Sequence, residues 1–89
     1  RAQRNFRRAW WNGGGQIIDG QPWVGVEDFV ATLEGDGNSE KTARRALTPT
    51  GRVMRELLET DSVKPHGDGW IAIEPAFAGI MLIEKGERE

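Results

Sequence analysis

At 89 residues with a formal net charge of −2, the chain is a single domain, large enough for one modest core and too small for two. No segment holds the roughly 18 to 20 unbroken apolar residues of a membrane helix, and the lack of cysteine excludes disulfides, thiol catalysis and thiolate zinc sites. The chain begins on Arg1 rather than methionine, which points to a domain cut from a longer protein; no anchor or signal peptide is read, and the cytoplasm is the expected compartment.

The first segment, "RAQRNFRRAWWNGGG", predicts a helix with Phe6, Ala9 and Trp10 on one side and arginines on the other, stopped at Gly13-Gly14-Gly15. In "QIIDGQPWV", Asp19-Gly20 between apolar pairs predicts a tight hairpin or a short pair of extended pieces, with Pro22 restricting it to the edge of a sheet. "GVEDFVATLEG" follows as a short helix with Glu27 and Asp28 at its positive end and Phe29, Val30 and Leu33 inward. After the turn "GDGN", Asn38 or Ser39 caps a helix in "SEKTARRAL" that turns Ala43, Ala46 and Leu47 inward. "TPTG" breaks the chain, and "RVMRELLET" predicts another helix with Val53, Met54, Leu57 and Leu58 inside.

"DSVKPHGDGWIAIEP" predicts a two-stranded antiparallel hairpin looping at His66 to Gly69, with Ile71 and Ile73 inward against Trp70 and Ala72. Pro75 suits a first helical turn, so "PAFAGIMLIEKG" is expected as a closing helix that is apolar nearly all round; a terminal strand over Ile80 to Ile83 is the competing reading. Trp10, Trp23 and Trp70 are expected in the core, while Trp11 points elsewhere.

Charge is segregated along this order. From Glu27 to Glu40 every ionisable side chain is acidic, and from Lys41 to Arg55 every one is basic. Such blocks can give one face a positive potential in a chain that is acidic overall.

With "SEKTARRAL" as supporting helix, "TPTG" as turn, "GRVMRELLETDSV" as recognition helix and "KPHGDGWIAI" as wing, the chain resembles a winged helix-turn-helix domain from about Val26 to Glu74. The resemblance implies an α+β fold, mainly helical with a β-hairpin wing. An additional N-terminal helix occupies residues 1–15, the winged-helix core 26–74, and a C-terminal helix and tail 75–89. It further implies that Thr48, Thr50, Arg52 and Arg55 lie on the start and outer face of the reading helix. Lys41, Arg44 and Arg45 would flank the groove as backbone contacts, and Lys64 and His66 would ride on the wing. Glu56 and Glu59 oppose this, unless turned away or paired, as Glu59 could be with Arg55.

No catalytic or metal site is read. "NGGGQ" and "GDGN" lack the strand, lysine and hydroxyl of a phosphate loop, "EGDGNSE" lacks the ligand series of a calcium loop, the sole histidine His66 has no partner set, and Ser39 and Ser62 have no nearby base. No cofactor is expected. The leading expectation is a double-stranded-DNA-binding module of a larger bacterial or mobile-element protein serving replication, transfer or regulation. The alternative is a winged-helix module for protein contacts, with Phe77, Ile80, Met81, Leu82 and Ile83 forming the surface toward parent-protein domains or a homodimer partner.

Overall fold

In the computed structural model, which describes residues 1–89, helix α1 (Ala2–Asn12) forms where Ala2, Phe6, Ala9 and Trp10 recur at helical spacing, and all four are buried. It ends as the glycines allow. Gly14 and Gly15 take φ of 85° and 69°, and the Gly15 N–H returns to the Trp10 carbonyl at 2.9 Å. The Trp10 indole N–H then donates to the Gln16 carbonyl at 2.7 Å, which aims the chain into the first hairpin.

That hairpin is β1 (Ile17–Ile18) and β2 (Gln21–Gly25), closed by Asp19 and Gly20 at φ of 54° and 77°. Two consecutive positive φ values are the mark of a type I′ turn, for which Asp-Gly is a preferred pair. Helix α2 (Val26–Gly35) follows at once, then α3 (Glu40–Ala46), α4 (Met54–Glu59), the hairpin β3 (Val63–His66) and β4 (Gly69–Ala72), and α5 (Pro75–Arg88). The terminal segment is thus helical, with Glu74 accepting from the Ala76 and Phe77 N–H groups as its cap and Pro75 in the first turn.

The four strands form one antiparallel sheet in the order β1-β2-β4-β3. Two expectations change here. Strand β2 is internal, although it carries Pro22, because β4 pairs only with Trp23, Val24 and Gly25 and makes no demand on the proline nitrogen. The alternation of β4 is also opposite to that expected: Val24, Val63 and Ala72 join the core with Trp70 packed against it, while Ile71 is buried on the other face, opposite Trp23 in the register. A strand that is apolar at every position does not announce its inner face.

Trp23 is likewise half-buried rather than central. Its ring lies over Gly25 and Gly69, a Cβ at Gly69 would overlap the Val24 carbonyl, and its Nε1–H donates to the His66 carbonyl at 2.9 Å.

An aromatic chain runs through the core. Phe29 meets Phe6 edge-on at 5.9 Å and Trp70 edge-on at 5.8 Å, and Phe6 meets Phe77 at 5.6 Å. Because Phe6 is fully buried and joins three elements, Phe6→Ala should lower stability by about 3–5 kcal/mol in urea denaturation.

Candidate nucleic-acid interface

The basic run folds into two short pieces with a compact turn between them. Ser39 caps α3, its hydroxyl accepting from the Thr42 N–H at 3.2 Å. Asn38 does different work: its amide donates to the Leu33 carbonyl at the end of α2 at 2.8 Å, and its oxygen accepts from the Arg52 guanidinium at 3.1 Å. From Leu47 to Val53 the chain is a succession of turns, in which the Gly51 N–H donates to the Thr48 carbonyl at 2.8 Å and the Val53 N–H to the Ala46 carbonyl at 3.2 Å.

Gly51 sits directly on the last carbonyls of α3. A Cβ at this position would overlap the backbone of Arg45 and Ala46. The helix expected from Arg52 therefore begins only at Met54 and lasts six residues, with Arg52 in the turn before it. Gly51 lies in the wall of an open groove that is also lined by Thr42, Arg45, Thr48, Thr50 and Arg52.

Four of the expected contact residues, Arg45, Thr48, Thr50 and Arg52, are thus brought together. Thr42, one helical turn before Arg45 on the exposed side of α3, was not singled out; its i, i+3 spacing from Arg45 was the available signal. Asn38 was foreseen as a helix cap, and only the fold reveals it as the side chain that holds Arg52.

Arg44 has a different setting from its neighbour. Its guanidinium grips Glu27 on α2 at 2.8 Å and Glu40 one turn back at 3.1 Å. The hydrogen bonds it donates to Glu27, and then to Glu40, raise its pKa beyond the ordinary arginine value. It is not free for phosphate. No salt bridge reaches Lys41, Arg45, Arg52 or Arg55, all of them exposed.

The acidic residues set against this surface have distinct fates. Glu56 turns toward α1 and accepts from the Ala2 N–H at 3.0 Å, a favourable place for a carboxylate at the positive end of a helix. The Arg55–Glu59 pair does not form, and Glu59 stays exposed. Asp36 is held by Arg8 of α1 in a two-pronged pair at 2.8 and 2.9 Å, whose hydrogen bonds lower its pKa; the charge of Arg52 acts in the same direction.

The second hairpin is not a free loop. His66 faces Gly69 across a two-residue turn in which Gly67 takes φ of 60°, and the Asp68 carbonyl accepts from the Val26 N–H at 2.8 Å. Its tip is thereby tied to the start of α2. Lys64 is exposed on β3, His66 lies 3.9 Å from Asp19 on the first hairpin, and neither lines the groove. Ser62 is fully buried and bonded to Gln3 and Thr60, a packing role.

Of the expected docking residues on α5, Phe77 and Met81 are buried in the core. Leu82 is half-buried, while Ile80 and Ile83 are exposed. No helix is long and apolar enough to cross a membrane. None of the family models, curated proteins or solved structures compared with the chain matches it.

Two outcomes follow from these contacts. Gly51→Ala should cost about 1–3 kcal/mol, the usual range for overpacking, read as a lowered urea midpoint. Glu27 and Asp36 both have depressed folded-state pKa values, caused by hydrogen bonds from Arg44 and Arg8. Their stabilisation is complete above the unfolded carboxylate values and is lost as pH falls through the folded ones. A Glu27→Gln/Asp36→Asn variant should therefore be slightly less stable than wild type at pH 7, with the two urea midpoints converging as the carboxylates protonate.

Proposed function

We propose that this domain binds double-stranded DNA through the groove at the C-terminal end of α3. The observation that carries the reading is that Arg45 and Arg52, neither of them in a salt bridge, line one groove together with Thr42, Thr48 and Thr50. Arginine presents a planar fork suited to guanine N7 and O6, and threonine hydroxyls suit phosphate oxygens. Lys41 and Arg55, exposed on the flanking helices, supply further phosphate contacts.

The fold is read as a winged-helix domain. Helix α1 and the short hairpin β1–β2 precede three short helices, α2 to α4, and a second hairpin, and β2 pairs with β4 of that second hairpin. With α4 shortened to Met54–Glu59, the helix-turn-helix is read as α2 and α3, joined at Asp36 to Ser39, instead of α3 and α4; α3 approaches the major groove, and the turn through Arg52 widens its contact surface. The tied hairpin carrying Lys64 and His66 has a minor part. The domain serves as a DNA-binding module of a larger replication, transfer or regulatory protein of bacterial or mobile-element type.

Fluorescence anisotropy with a labelled duplex tests this. Wild type should bind at about 50 mM salt and lose most of its affinity by about 200 mM, as counterion release requires. Arg45→Ala/Arg52→Ala should weaken binding by roughly tenfold or more and flatten the salt dependence by about one unit of slope per phosphate contact removed. Lys64→Ala should stay near wild type. No binding at low salt, or unchanged affinity in the double variant, would overturn the proposal.

A further inference from the structure

A second surface lies on α1 and α5, built from other residues. Between the two helices runs a depression lined by Arg1, Arg4, Arg7, Phe77 and Ile80. It continues across Arg4 and Arg7 into a second one that also has Arg8, Trp11 and Arg88 on its walls. The exposed stripe of α5 beside it is apolar: Ile80 and Ile83, one turn apart, are 50% and 63% exposed, and Ala76 precedes them on the same side.

The charges along this channel are unequal. Glu84 is taken by Arg7, the Glu74 carboxylate is occupied in capping α5, and Arg8 is held by Asp36. Arg4 has no acidic partner, and the Arg88 guanidinium lies 3.9 Å from the Trp11 ring centroid with no carboxylate paired to it. The combination is a cationic channel with an uncovered aliphatic edge.

We propose that this face docks an acidic amphipathic helix of a partner protein. Its carboxylates would meet Arg4 and Arg88, and its apolar side chains at helical spacing would cover Ile80 and Ile83. Two competing occupants fit less well. Duplex DNA offers the arginines phosphates but leaves the two isoleucines facing a charged backbone. A second copy of this chain would bring its own α5, on which Glu74 caps the helix and Glu84 is taken by Arg7, leaving Glu87 as the one carboxylate of that helix for two arginines. The inference stands on residues separate from the DNA-binding groove.

The probe is a fluorescein-labelled helical peptide with leucines along one face and glutamates on both flanks, titrated by anisotropy against the intact domain. Wild type should bind it and should bind the glutamine-for-glutamate version more weakly. Arg4→Glu, and separately Ile80→Ser/Ile83→Ser, should each weaken binding by roughly tenfold, while Arg45→Ala/Arg52→Ala leaves it unchanged. Circular dichroism of the variants verifies that they remain folded, and all the substituted side chains are exposed. The proposal is overturned by equal affinity for the glutamine peptide, by absent binding, or by insensitivity to both sets of substitutions. It is also overturned if duplex DNA displaces the peptide through Arg4, or if sedimentation shows a dimer that Ile80→Ser/Ile83→Ser dissolves. Loss of DNA binding in Arg45→Ala/Arg52→Ala with peptide binding intact would separate the two surfaces.

Discussion

The structure depends first on the edge-on packing of Phe29, which reaches Phe6 on one side and Trp70 on the other. One side chain of α2 thereby holds α1 against the helical layer and the sheet beneath it. Phe6 extends the contact to Phe77, so the closing helix joins the same core. Such pairs contribute about 0.5–1.5 kcal/mol beyond the area they bury, and their geometry also fixes direction. With α1, α2 and α5 held together, the end of α3 with its following turn and the depression between α1 and α5 are both left on the outside.

Around the first of these surfaces, acids are spent locally. Glu27 and Glu40 hold Arg44, Arg8 holds Asp36, and Glu56 is drawn to the start of α1. Each pair is exposed and contributes little to stability by itself. Their larger effect is on the distribution of charge. They neutralise some cations and withdraw some acids, so that Arg45 and Arg52 remain beside the groove with no carboxylate bound to them. Asn38 adds direction, because the same side chain closes α2 and holds the Arg52 guanidinium.

Much of the local structure was legible in the residues. The glycines after α1, Asp19-Gly20 between short strands, Ser39 ahead of α3 and Pro75 at the start of α5 each act over a few positions, where backbone sterics and capping decide the outcome. The candidate site was legible in part. The basic run pointed to Arg45, Thr48, Thr50 and Arg52, which do meet, but it also included Arg44, whose partner Glu27 lies 17 residues away in sequence. It started a helix at Arg52 where Gly51 instead packs against the preceding helix.

By itself the sequence determined the kinds of element, their order and most of their ends, because helix period, caps and two-residue turns are short-range matters. Only the tertiary structure decided that β2 lies inside the sheet and that Ala72 rather than Ile71 joins the main core. It also decided that Phe77 and Met81 are buried while Ile80 and Ile83 are left outside, and that one of two adjacent arginines is bound while the other is free. The physical reason is common to all of these. Strand partners, the inner face of an all-apolar segment and the pairing of a long charged side chain depend on groups brought near by folding, and no spacing along the chain encodes which groups those will be.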